Sequence, residues 1–274
     1  MTGRSGVTLP HPDLVACDLD GTLLLPELEL APGTAAGVAR LREAGVTFVV
    51  CTGRMLQSAR PIAARLGIDD GLIVCYQGAL VADLGSGEWL LHRPVSVEVA
   101  ADVVRHARDI GRHLNAYVDD ELYVEQLDDW ARRYAEYAEV GINAVDDLLP
   151  VVTTRSPTKL VIQTEPDDAQ ALLPGLQRRW RGRLVVTRSQ PPYIEITDVE
   201  ATKSHALEFL CSRLGLRRER TVACGDGLND IDMLRWAGLG VAMAQAAPAV
   251  REAGDLVVAQ DELGGLLERL AAAP

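Results

Sequence analysis

The chain twice repeats a rhythm of short apolar runs separated by helical stretches, and inside those runs polar residues do not alternate with apolar ones. "LVAC" (14–17) leads to a helix predicted from after Pro32 to about Glu43. "VTFVVC" (46–51), a helix over about Met55 to Leu66, and "LIVCY" (72–76) follow. The rhythm returns with a helix over about Ser204 to Leu214, "TVAC" (221–224), and a helix over about Asp230 to Trp236. It ends with "LGVAMA" (239–244), a short helix after Pro248, "DLVVA" (255–259) and a terminal helix. A strand with one wet face alternates; one without alternation is covered on both faces, as in a parallel sheet between two helical layers. The sequence therefore predicts an α/β protein with a parallel sheet.

Between the two halves the pattern changes. "LNAYVDDELYVEQ" reads as two strands around a Val118 to Glu121 turn, flanked by the helical "SVEVAADVVRHARDI" and "DDWARRYAEYAEV". "KLVIQ", a helix over about Asp167 to Trp180, "RLVVTR" and "YIEIT" complete an α+β unit. The predicted organisation is a discontinuous core of residues 1–79 and 199–274 with an inserted unit at 80–198, two modest domains in a chain of 274 residues. Trp130, Tyr134 and Tyr137 recur at i, i+4 and i+7, which predicts a buried helical stripe.

A formal net charge of −12 argues against a nucleic-acid or anionic-membrane partner, and it means that any anionic substrate needs local cations. Cys17, Cys51, Cys75, Cys211 and Cys224 show no CxxC spacing, and their odd number fits a reducing compartment. "MTGRSGVTLPHP" lacks the apolar centre of a signal peptide, and no run of 18 apolar residues occurs, so the expectation is a soluble, cytoplasmic protein.

The chemistry gathers at strand ends. In "VACDLDGTLL", Asp18 and Asp20 lie two residues apart, so on a strand they project to one side, and like charges so close call for a cation or a managed proton. A solvated acidic turn is the alternative for that stretch alone. "CTGR" ends the second run, offering the Thr52 hydroxyl and the Gly53 backbone to an anion, with Arg54 beside them. "ACGDGLND" ends a later run with Asp226, Asn229 and Asp230, and open α/β sheets bind ligands at this carboxyl edge. Four carboxylates without a paired histidine motif point to a hard divalent cation, Mg²⁺ ahead of zinc or copper. Of 27 Lys and Arg residues only Lys159 and Lys203 are lysines, and Lys203 opens a helix just before the "TVACGD" strand, where it reads either as a partner for the carboxylates or as a surface lysine.

"DLDGTL", the Thr of "CTGR", a lysine opening a helix, and "GDGLND", in that order, resemble the motifs of the haloacid dehalogenase superfamily of phosphohydrolases. The insertion and the "GLGVAMA…VREAGDLVV" tail resemble its Cof-like, type IIB capped branch of sugar phosphatases. The resemblance implies a Rossmann-like core under an α+β cap and a Mg²⁺-dependent phosphomonoesterase acting on small phosphorylated metabolites. It implies Asp18 as nucleophile, Asp20 as general acid and base, and Thr52, Gly53, Asn229 and Lys203 on the phosphoryl group. It further implies Mg²⁺ on Asp18, the Asp20 carbonyl and Asp226, with Asp230 a ligand or a holder of metal-bound water. Arg54, Tyr123 and Arg155 are candidates for contacting the leaving group. A phosphomannomutase-like mutase and a non-catalytic phospholigand-binding protein are the alternatives. Gln77, Gln245 and Glu200 depart from the branch's usual Asn, Asn and Gly.

Overall fold

The computed structural model describes residues 11–273. The first ten residues, on which the leader expectation rests, lie outside them, as does residue 274. Its first strands are β1 (Leu14–Cys17), β2 (Thr47–Cys51), β3 (Leu72–Cys75), β4 (Leu80–Asp83) and β5 (Trp89–His92). The inserted segment contributes β6 (His113–Val118), β7 (Glu121–Val124), β8 (Ile142–Ala144), β9 (Lys159–Gln163), β10 (Leu184–Gln190) and β11 (Tyr193–Asp198). The chain then returns with β12 (Thr221–Gly225), β13 (Leu239–Met243) and β14 (Leu256–Val258).

The large sheet has the order β14-β13-β12-β1-β2-β3-β4-β5 and is parallel from β14 to β3. In β1, Val15 and Cys17 pack into the layer holding Val38, Leu41, Leu263 and Leu267, while Leu14 and Ala16 pack against Leu207, Leu210 and Met233. That two-sided burial is why the run shows no polar alternation. The chain leaves β1 toward β2 and β3 in one direction and toward β12 to β14 in the other. The switch point beside β1 thus brings the ends of β1 and β12 together, with Cys17 opposite Cys224. All five cysteines are free and buried.

Residues 80–92, expected with the insertion, instead extend the large sheet. After β3 the chain reverses through Tyr76, Gln77 and Gly78, all at positive φ, and β4 and β5 add antiparallel to the edge of β3. This covers a row of backbone groups that would otherwise be left open. Strand β8 and the Leu148–Thr154 helix also lie in a stretch for which the sequence suggested no element.

The inserted unit is a second sheet, β10-β11-β9-β6-β7-β8. One face packs on the Val97–Asp109, Leu148–Thr154 and Pro166–Arg179 helices around Trp180. The other face, with Tyr117 and Val161, shares a core with the large sheet's layer and with the Asp129–Ala138 helix. The turn between β6 and β7 reaches the core. Asp120 accepts hydrogen bonds from the Leu56 and Gln57 amides, both at 2.8 Å, and from the Tyr76 hydroxyl at 2.7 Å. It thereby caps the Leu56–Arg65 helix, whose own N-cap, Met55, provides no side-chain bond.

Candidate active site

Asp18 follows β1 directly, its amide donating to the Cys224 carbonyl at 2.9 Å. Gly21, at φ 84°, turns the chain away, and a Cβ there would lie 2.2 Å from Asp226 Oδ2, so only glycine leaves that carboxylate its place. Lys203 begins the Lys203–Leu214 helix, which Thr202 caps by accepting from the His205 amide. Its wholly buried ammonium donates to Asp18 Oδ1 and to Asp230 Oδ1, both at 2.5 Å. Asp230 Oδ2 accepts from the amides of Asp226 and Gly227 at 3.0 and 2.8 Å, so both its oxygens are engaged.

Burial pushes the Asp18 carboxyl well above the usual range; Lys203 opposes this, while Asp230, Asp20 and Asp226 add to it. Burial, then Asp230, raises Asp226 to about 6, with the Thr22 hydroxyl and Lys203 acting the other way. Burial works against the charged form of Lys203, yet the Asp18 and Asp230 carboxylates hold it well above its ordinary value. Asp18, Asp226 and Asp230 each place a carboxylate oxygen within 4.8 Å of the others. With Asp20, four carboxylates face the two cations Lys203 and Arg54, and the surplus negative charge on an all-oxygen set suits a hard divalent cation.

The second strand end supplies Thr52, Gly53 and Arg54. The Thr52 hydroxyl is buried and accepts from the Arg54 amide at 3.1 Å. A Cβ on Gly53 would meet the side-chain nitrogen of Gln77, Nε2, at 2.3 Å. Arg54 holds Asp20 through two bonds, lies over the Tyr137 ring at 5.4 Å from its centroid, and remains cationic against the burial because Asp20 faces it.

Above these groups is a cavity of about 140 Å³ that Asp18, Asp20, Gly53, Arg54, Asp226 and Asn229 share with groups of the cap. Thr52, Lys203 and Asp230 lie beneath the carboxylates and do not line it. The cap contributes Tyr134, Tyr137, Lys159, Gln190, Tyr193 and Glu195. Tyr134 and Tyr137 are thus part of the roof as well as of a packed stripe, because the Asp129–Ala138 helix turns that face toward the core sheet. Trp130 faces a separate cleft of about 380 Å³ with Arg108 and His113. Tyr123 and Arg155 lie outside the cavity, paired with each other and with surface carboxylates.

No motif marks Lys159, although it is the chain's only other lysine. It is buried, donates to the Gly53 carbonyl at 2.9 Å, pairs with Glu195 at 3.4 Å, and lies over the Tyr117 and Tyr76 rings. Of the three departures, Gln245 donates to the Gly21 carbonyl at 2.6 Å and Gln77 bridges Asn229 and Glu195. The Glu200 carbonyl accepts from Arg93 and His205.

The sequence matches the family described as haloacid dehalogenase-like hydrolase over residues 15–270. It is 25% identical over 248 residues to "Putative phosphatase YxeH" of Bacillus subtilis, covering 88% of this chain and 91% of the relative. Among solved structures it resembles TM0651 from Thermotoga maritima, with 31% identity, a TM-score of 0.83, and 94% and 97% of the two chains covered. The subclass IIB sugar phosphatase BT4131 shares its fold at 20% identity and a TM-score of 0.78, covering 95% of this chain and 98% of the other. No helix among the described residues is long and apolar enough to cross a membrane. The chain belongs to the haloacid dehalogenase superfamily, as a Cof-like hydrolase of the phosphatase class with the α+β cap of subclass IIB.

Proposed function

We propose that the protein is a Mg²⁺-dependent phosphomonoesterase that hydrolyses small phosphorylated metabolites, sugar phosphates among them, through an aspartyl phosphate on Asp18. The observation that carries this reading is the buried Asp18 carboxylate, 6% exposed, held by Lys203 and opening on a cavity shared with Asp20 and Asp226. Asp18 attacks phosphorus, while Asp20, at the mouth of the cavity, protonates the departing oxygen and later takes a proton from the attacking water. Asn229 and Gly53 line the cavity and receive the phosphoryl oxygens, while Lys203 and Thr52, seated beneath Asp18, supply a cation and a hydroxyl to the same group once it is bonded to Asp18, which is what an acidic protein must give an anionic substrate. Asp18, the Asp20 carbonyl and Asp226 would hold Mg²⁺, which when bound offsets the charge on the phosphoryl group. Asp230 keeps Lys203 and the Asp226 loop in place.

The Tyr137 hydroxyl, the Gln190 carboxamide and the Glu195 carboxylate in the roof suit a leaving group rich in hydroxyls. Purified protein with Mg²⁺ is expected to release phosphate from an aryl phosphate and to give free phosphate, with no isomerised product, from hexose phosphates. Asp18→Asn is expected to abolish release; equal release by that variant would overturn the assignment of the nucleophile.

A further inference from the structure

Gln77 occupies a backbone conformation that its residue type rarely adopts, φ 61° and ψ 22°, and it is almost fully buried. For a residue other than Gly or Asn the left-handed region costs roughly 1–2 kcal/mol, so something must hold it there. Its amide donates to the Thr52 carbonyl at 3.1 Å, its side chain covers Gly53, and the next residue, Gly78, packs so closely that a Cβ would lie 2.1 Å from the Thr202 carbonyl oxygen. Gln77 is therefore wedged where the loops carrying Thr52, Lys203 and Asn229 meet.

Its hydrogen bonds have a fixed direction. Glu195 of the cap, paired with Lys159, presents a carboxylate that can only accept. The Gln77 Nε2 must therefore face it, at 2.8 Å from Glu195 Oε2. That leaves Oε1 pointing to the core, where it can only accept, and it takes a bond from Asn229 Nδ2 at 2.8 Å. The Asn229 oxygen in turn lies against Gly227, where a Cβ would be 2.2 Å away. One carboxyl group of the cap, paired with Lys159, thus determines which end of two successive carboxamides faces which way.

Resting on the phosphatase reading above, we infer that Gln77 is a positioning residue: held by Glu195, it fixes the Asn229 carboxamide so that its second N–H is aimed at the bound phosphoryl group. A seated cap and an oriented Asn229 are then one state. Asparagine would suit the left-handed backbone better, but it is one methylene, about 1.5 Å, shorter and cannot touch Glu195 and Asn229 together.

The test is a cycle of Q77N, N229A and the double variant, each assayed with an aryl phosphate and Mg²⁺ and titrated calorimetrically with orthovanadate. Q77N is expected to lower kcat by roughly tenfold with little change in KM, and to weaken vanadate binding, while its melting temperature stays level or rises. In the N229A background Q77N is expected to cost less than about twofold, because its effect runs through Asn229. Losses that multiply in the double variant, or a fully active Q77N, would overturn the inference. Should the wild-type protein turn over no phosphate ester, the phosphatase reading fails, and the same cycle in vanadate affinity still decides whether Gln77 acts through Asn229.

Discussion

The Arg54 guanidinium grips the Asp20 carboxylate side-on, Nε to Oδ2 at 2.8 Å and Nη2 to Oδ1 at 2.6 Å, tying the second strand end to the first. A fork that matches both oxygens fixes the plane of the carboxylate, which a lysine, as a point charge, cannot do. Arg54→Lys is expected to lower kcat on an aryl phosphate by about 10- to 100-fold, through a misdirected Asp20. The Asp20 side chain is 37% exposed, so screening keeps the accompanying stability change within about 1 kcal/mol. Steady-state kinetics beside urea denaturation check both halves, and a large fall in stability at unchanged kcat contradicts the proposed role.

Lys203 has the opposite balance. Its ammonium is wholly buried between Asp18 and Asp230, and removing one member of a buried charge group leaves the others uncompensated. Lys203→Ala is expected to cost about 3–5 kcal/mol in urea denaturation at pH 7 and to remove activity. The deficit is expected to narrow as the pH falls, because Asp18 without its ammonium takes up a proton.

Asp226 gives a pH dependence of defined sign. Its carboxyl is raised to about 6 in the fold, so between pH 4 and pH 6 the native state binds more protons than the unfolded chain. The stability that this group contributes to the metal-free protein is complete below pH 4 and is lost as the pH rises through 6, a change on the order of 2–3 kcal/mol. A bound divalent cation needs the ionised form and reverses the trend. Stabilisation by Mg²⁺ in thermal melts is therefore expected to be weak at pH 5 and to grow above pH 6; a Mg²⁺ shift independent of pH contradicts this.

Asp120 is expected to stabilise a helix to which it is not sequentially joined. Asp120→Ala removes the acceptor of the Leu56 and Gln57 amides and is expected to cost about 1–2 kcal/mol. Hydrogen exchange is expected to quicken at those two amides and to stay unchanged in the Lys203–Leu214 helix, which carries its own Thr202 cap.

What could be read from the sequence follows from how local each feature is. Asp18, Asp20, Asp226 and Asp230 were legible because strand ends and the residue types there are local properties, and the parallel sheet followed from runs without alternation. The cavity roof was not legible. Tyr134 and Tyr137 obey a helical period whether their face meets the helix's own sheet or the core, and only the docking of two sheets decides between these. Lys159 was visible as a count and not as a place, since its contact with Gly53 spans more than a hundred residues of chain. Residues 80–92 were misplaced because a short apolar run between turns carries no mark of which sheet it will join.

The Asp120 contact also bears on how such proteins can be recombined. The helix that starts just after Arg54 has its first amides satisfied by a turn in the inserted unit. A foreign cap grafted onto this core, however well its own sheet folds, would leave that helix start bare unless its hairpin brings a carboxylate to the same spot. Cap and core are therefore poor interchangeable parts here, and exchanges of leaving-group preference by cap transplantation have to carry the β6–β7 turn with them.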